Sequence, residues 1–161
     1  MKVTEKGFRE AMGRFASGVT VVTGILPDGR PAGVTASAFI SVSLDPPLVS
    51  VCLDKATVCL EAFTRGSHFA IHILNEDQKD LSVHFAQRSL EKFVTIAHGT
   101  GTRGCPVLAD CLAVIECART GVYDAGDHLL IIGRVENLDT ADKGAPLLHF
   151  RGAYHRLAER L

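Results

Sequence analysis

The sequence predicts a mostly β fold, a closed or nearly closed β-barrel with helices packed outside it. Three observations carry this expectation. Short runs rich in β-branched residues recur along the chain, among them "VTVVTGIL" (19–26), "LVSVCLD" (48–54) and "HLLIIGRV" (128–135). Turn signals such as "PDGR" (27–30) separate them. Helical periodicity is confined to a few short stretches. At 161 residues the chain is long enough to bury roughly 70% of the surface its unfolded form exposes. With no internal repeat, low-complexity tract or linker in view, residues 1–161 are read as one domain.

Taken in order, Thr4 is a candidate N-cap, and Phe8, Ala11, Met12 and Phe15 recur at helical spacing, giving a short amphipathic helix that ends near Ser17–Gly18. "VTVVTGIL", "PDGR" and "PAGVTASAF" (31–39) then read as a β-hairpin. "PPLVSVCLD" (46–54) supplies another strand after a double proline. Leu60 and Phe63 are spaced as on a helix that stops at Gly66, and "SHFAIHIL" (67–74) returns to strand alternation. Asn75 can cap a helix over "EDQKDLSVHFA" (76–86), whose first turn is acidic and whose Leu81 and Phe85 share a face. "RSLEKF" (88–93) and the Gly-rich "AHGTGTRGCP" (97–106) read as irregular connections. "LAVIECART", "GVYDAG" and "DHLLIIGRVENLD" (112–139) read as a run of antiparallel strands, and "AYHRLAE" closes the chain.

Composition excludes several classes of function. Seventeen basic residues against 18 acidic ones leave no electrostatic footprint for nucleic acid or an anionic membrane. The longest apolar stretches fall well short of a membrane span, and "MKVTEKGFREAMGRF" lacks the apolar core and cleavage site of a signal peptide, so a cytoplasmic protein is expected. Five cysteines, Cys52, Cys59, Cys105, Cys111 and Cys117, form no C-x-x-C pair and are expected as reduced, mostly buried thiols. His68 and His72 stand four apart on a strand pattern, with no carboxylate beside them to support a metal, and no metal site is expected.

Two stretches invite a nucleotide reading. "GTGTRG" (99–104) matches G-x-G-x-x-G, but Cys105–Pro106 follows at once where a phosphate-binding motif needs a helix, so a loop is expected. "VTASAF" (34–39) reads as a strand built of unusually small residues. Such a strand either lets a neighbouring element pack closely or leaves accessible backbone N–H groups and room for a flat ligand.

"FASGVTVVT" (15–23), "GVTASAF" (33–39), "VSLDPPLVSVCLD" (42–54), "NED" (75–77), "HFA" (84–86) and "AGDHLLIIGRV" (125–135), in that order and spacing, resemble the flavin reductase family. The likeness runs from Phe8 to about Leu157. It implies an FMN-binding split barrel of Greek-key type, a homodimer, and hydride transfer from NADH or NADPH to FMN or FAD. The reduced flavin would diffuse to a separate oxygenase component. Such chemistry needs no acid/base pair, because the two cofactors carry the bond changes.

By the same resemblance, backbone groups of Thr35, Ala36, Ser37, Ala38 and Phe39 meet the edge of the flavin ring. Leu53 and Asp54 count among the cofactor-binding residues, and Lys55, Thr57, Arg88 and Lys92 are the candidate phosphate donors. The backbone of His84, Phe85 and Ala86 is expected against the flavin, with the Phe85 ring in the core. Asn75 and Tyr154 are further candidate flavin contacts. Gly126, Asp127 and His128 make up the "GDH" turn, in which His128 lines the nicotinamide side and Asp127 fixes its tautomer. The resemblance leaves open a non-catalytic flavin carrier, or a reductase of another acceptor such as a cobalamin.

Overall fold

Residues 2–159 are described by a computed structural model of the chain. Helix α1 (Glu5–Met12) starts where the sequence indicates, with Thr4 Oγ1 accepting from the Gly7 N–H at 3.1 Å. It stops at Gly13, short of Ser17, and buries none of its residues. Strands β1 (Ser17–Gly18) and β2 (Thr20–Ile25) follow, and β2 forms the expected antiparallel hairpin with β3 (Pro31–Ala36).

"VTASAF" is not a single strand. β3 ends at Ala36, Ser37 and Ala38 make an exposed corner, and Phe39 opens β4 (Phe39–Ser43), which pairs with β5 (Leu48–Asp54). β4 escapes a pattern reading because none of its side chains is buried, so no apolar face marks it.

Beyond β5 come α2 (Glu61–Thr64), β6 (His68–Ile73) and α3 (Lys79–Ala86). α3 begins later than an Asn75 cap would have it. Asn75 Oδ1 accepts instead from the Asp77 N–H at 2.8 Å, an Asx turn that competes with helix initiation, and Gln78 stands at the N-cap. A 3₁₀ turn (Lys92–Val94) leads to the short hairpin β7 (Gly99–Thr100) and β8 (Pro106–Val107). "GTGTRG" lies in that hairpin, with no helix after it.

β9 (Ala113–Ala125) and β10 (His128–Thr140) are each 13 residues long. β9 fuses the segments "LAVIECART" and "GVYDAG". Its register against β10 slips beside Thr120, a bulge that lets the strand pass Gly121 unbroken. β11 (Leu148–Phe150) and β12 (Ala153–His155) form a small sheet with β1.

The main sheet has the order β3-β2-β6-β9-β10-β5-β4, with every pair antiparallel. Its edge strands β3 and β4 are joined by Ser37 and Ala38 alone. The steps from Ala36 to Phe39 span at most about 11 Å, whereas seven strands laid flat would measure about 29 Å across. The sheet is therefore rolled, and the Cys52 N–H on β5 donates to Ala38 O at 3.0 Å, carrying the β4–β5 ladder into the connecting corner. This is the split-barrel architecture.

Two cores result. Val22, Val51, Phe63, Phe69, Ile71 and Ile131 fill one, and Val21, Leu74, Phe85, Phe93, Leu108 and Leu147 the other. β2 feeds both through alternate side chains, which is why it is buried almost without break, its two threonines included. His72 is fully buried, its Nδ1 3.0 Å from Val21 O and its Nε2 3.1 Å from the Leu108 N–H. A carbonyl only accepts and an amide only donates, so Nδ1 carries the proton. Burial holds the His72 pKa down to about 4.

Candidate functional site

A cleft of about 180 Å³ opens between β3, the segment after β5 and the C-terminal end of α3. Gly33 makes it possible. A Cβ there would fall 2.5 Å from Phe85 Cε1, so only glycine lets α3 lie this close to β3. The Phe85 ring is fully buried, as expected, and serves as the anchor. The chain leaving α3 then carries Ala86 and Arg88 to one wall, while Asp54 and Thr57 stand on the other and Lys92 below. Five residues named from the sequence thus meet at one place.

The four candidate phosphate donors divide. Lys92 is buried, and its ammonium donates to Phe85 O at 2.7 Å and to Gly33 O at 3.0 Å. It bridges α3 to β3, and desolvation lowers its pKa from the usual lysine range. Lys55 Nζ lies 2.7 Å from Asp124 Oδ2 and 2.6 Å from Gly126 O. Thr57 Oγ1 and the Arg88 guanidinium, in contrast, make no hydrogen bond or ion pair among the described residues. These two are the free donors of the cleft.

The corner at 35–39 is similarly informative. The carbonyls of Ala36, Ser37 and Ala38 accept from Thr20 Oγ1, the Phe39 N–H and the Cys52 N–H respectively. The N–H groups of Ser37 and Ala38 donate to nothing among the described residues, and neither side chain is large enough to cover them. Thr35 Oγ1 donates to Ser82 O at 2.6 Å, and Ser82 Oγ lies 2.9 Å from the Tyr154 hydroxyl. Tyr154 therefore reaches back from β12 to α3.

Ser82 was not singled out from the sequence. A serine between Leu81 and Phe85, facing the core, was the available signal, because a buried hydroxyl must find a partner.

His84 Nε2 lies 2.7 Å from Lys92 O, fixing the turn below the cleft. The Leu53 side chain is in the core, and Asp54 Oδ1 accepts from the Ala56 N–H at 2.7 Å, shaping the turn into Lys55. Asn75 lies just past β6, at the end of the sheet where Thr20 pairs with both Ala36 and Ile73. Both ends of its amide are engaged in the loop, Oδ1 by Asp77 and Nδ2 by Asp110 O.

His128 opens β10 directly across from Asp54 and follows a two-residue turn. Gly126 takes φ +71° at the first turn position, as a primed hairpin turn demands, and Asp127 comes second. Asp127 Oδ1 lies 2.7 Å from His128 Nδ1, and this hydrogen bond holds the Asp127 carboxyl below its usual range. An ionised carboxylate only accepts, so Nδ1 carries the proton and Nε2 is left for other partners. The imidazole is 41% exposed. A larger groove of about 360 Å³, bordered by Leu26, Arg65, His68 and Arg103, holds none of the candidate cofactor-binding or catalytic residues.

A rolled antiparallel sheet whose edge strands are joined by a two-residue corner, with helices packed outside it, defines the class: a split-barrel domain. Residues 12–158 match the family model described as Flavin reductase like domain, and the chain belongs to that family. It is 43% identical over 149 residues to a Rhizobium meliloti protein named Probable flavin reductase, covering 92% of this chain and 48% of the relative. It is 42% identical over 155 residues to FMN reductase (NADH) SmoA of Agrobacterium fabrum, covering 96% and 87%. Among solved structures, NADH:FAD oxidoreductase SgcE6 of Streptomyces globisporus, in complex with NAD and FAD fragments, matches with a TM-score of 0.90 and 34% identity, covering 98% of this chain and 97% of that one. The chain spans about half the length of some of the curated relatives it matches and most of the length of others.

Proposed function

We propose that the chain is an NAD(P)H:flavin oxidoreductase, and one observation carries the reading. His128 faces Asp54 on the neighbouring strand, and Asp54 lines the cleft that holds the free Arg88 and Thr57 donors. An anion-ready cleft and a polar hairpin tip are thus adjacent, as two nucleotide cofactors meeting at their reactive rings require.

The residues fit a flavin. Arg88 and Thr57 hold its phosphate, and the free N–H groups of Ser37 and Ala38 donate to the ring edge, where charge builds on reduction. A flavin held there would supply the chemistry, as a hydride acceptor. His128 orients the nicotinamide through Nε2, while Asp127 fixes the ring's tautomer. The hairpin tip is exposed, which gives the nicotinamide a route from solvent.

A separate oxygenase is the proposed recipient, a reading supported by relatives named as reductase subunits of flavin-dependent monooxygenases. A homodimer is proposed on the family resemblance, and Ile40, Val42 and Leu44, exposed along and beside edge strand β4, offer an apolar surface for it. The cysteines are free thiols, which suits the reducing cytoplasm. No helix of the described residues is long and apolar enough to cross a membrane.

Steady-state oxidation of NADH and of NADPH with added FMN or FAD tests the activity. Turnover that saturates in free flavin supports it and identifies both cofactors. Tight flavin binding with no nicotinamide oxidation moves the assignment to a flavin carrier.

A further inference from the structure

We infer that Lys55 is a positioning residue for the hairpin that carries His128, and not a ligand of the flavin phosphate. The inference rests on the reductase reading for its kinetic consequence but on geometry alone for its structural one.

Lys55 leaves β5 and grips the tip of the β9–β10 hairpin three times. Its N–H donates to Asp127 O at 2.9 Å, and its ammonium donates to Gly126 O at 2.6 Å and to Asp124 Oδ2 at 2.7 Å. The backbone contact extends the β5–β10 ladder one step past its last pair, Asp54 with His128. The ammonium contacts close over the turn from the side. Residues 123–127 are otherwise exposed, so little packing holds the tip in place.

A single exposed ion pair contributes little, because water screens it and two side chains must be ordered to make it. Here one side chain holds two oxygens of the same short turn, and a main-chain bond from the same residue has already fixed where that side chain starts. The ordering is shared across the contacts, and charge-assisted bonds to a carbonyl and a carboxylate are the stronger kind. A phosphate would have to displace both oxygens to recruit Lys55, while Arg88 and Thr57 stand free on the cleft wall. The phosphate has its cation without Lys55, and no other Lys or Arg among the described residues pairs with the hairpin tip.

The consequence falls on the nicotinamide. Loosening the tip lets the Asp127–His128 pair wander from its place opposite Asp54. Affinity for the nicotinamide suffers while flavin affinity stays as it was.

The test compares Lys55→Met, Asp124→Asn, the double variant and Lys55→Arg with wild type. Expected is a KM for the nicotinamide nucleotide raised about fivefold by Lys55→Met and less by Asp124→Asn, in keeping with the loss of charge-assisted bonds at an exposed site. The KM for flavin stays within about twofold of wild type. The double variant is no worse than Lys55→Met, since the contact that Asp124→Asn weakens is one that Lys55→Met has already removed, and Lys55→Arg, which still reaches Asp124, recovers most of the loss. A rise in flavin KM for Lys55→Met with Asp124→Asn unchanged makes Lys55 a phosphate ligand and overturns the inference. So do kinetics unchanged throughout.

Amide hydrogen exchange across residues 126–128 needs no turnover. It should accelerate in both Lys55→Met and Asp124→Asn and nowhere else in the sheet, and unchanged exchange overturns the clamp. If wild type oxidises no nicotinamide, the reductase reading fails, and the exchange result alone decides the clamp.

Discussion

Asp54 and His128 face each other across the β5–β10 ladder, and this pairing joins the two halves of the site. Asp54 belongs to the cleft wall and His128 to the hairpin tip, so the wall and the tip are neighbours in the sheet. The arrangement is set by strand register, the least adjustable feature of a sheet, because a one-residue slip would turn both side chains to opposite faces.

The cleft account makes Arg88 the principal cation for the flavin phosphate. Arg88→Ala should weaken flavin binding about tenfold, the loss of one charge-assisted contact. The KM for the nicotinamide should move little. Titration of flavin fluorescence measures the first and steady-state kinetics the second. Unchanged flavin affinity would remove Arg88 from the site.

Gly33 is required by the close approach of Phe85. Gly33→Ala forces the ring to move or β3 to bend, and overpacking of this kind destabilises by roughly 1–3 kcal/mol. Thermal unfolding should register a clear fall in Tm. Phe85→Leu added to Gly33→Ala should recover part of it, since the shorter side chain vacates the space the new methyl needs. A Gly33→Ala variant as stable as wild type would show that α3 does not depend on this contact.

His72 gives the fold an acid-sensitive staple. Its folded pKa is depressed to about 4 from the ordinary 6.5, so between those values the unfolded chain binds a proton that the folded chain refuses. Stability from this residue is fully present above about pH 6.5 and is lost as pH falls toward 4, in total roughly 3 kcal/mol. Urea unfolding at pH 7.5 and pH 4.5 should show the loss. His72→Gln, which does not titrate, should show a shallower dependence. Parallel curves for the two proteins would mean that His72 charges in place at no cost.

Local pattern revealed much of this fold. β2, β5, β6 and β10 are legible because their β-branched residues alternate against cores on one or both faces. β4 and the Ser37–Ala38 corner are not, since nothing in five residues without a buried side chain says that the chain turns there and crosses the seam. The Asx turn at Asn75 delayed α3 through a side-chain contact that a helix-cap pattern does not distinguish. Among the site residues, those of the cleft and the hairpin tip came through the family resemblance. What no local pattern carries is which cations are already taken. Lys92 is held by Gly33, 59 residues away in sequence, and Lys55 by Gly126, 71 residues away. Both partners are backbone carbonyls, which every residue possesses.

The central claim, that a flavin in this cleft takes a hydride from a nicotinamide oriented by His128, is tested most directly by mixing the flavin-loaded protein with NADH or NADPH without oxygen and following the flavin absorbance in a stopped-flow instrument. The account predicts rapid bleaching in wild type, at a rate that saturates with the nicotinamide nucleotide. In His128→Ala it predicts a rate at least about tenfold slower at low nucleotide, as loss of an orienting contact implies. Wild-type flavin that stays oxidised at saturating NADH and NADPH would contradict the reductase assignment, and bleaching of equal rate in His128→Ala would contradict the role of the hairpin.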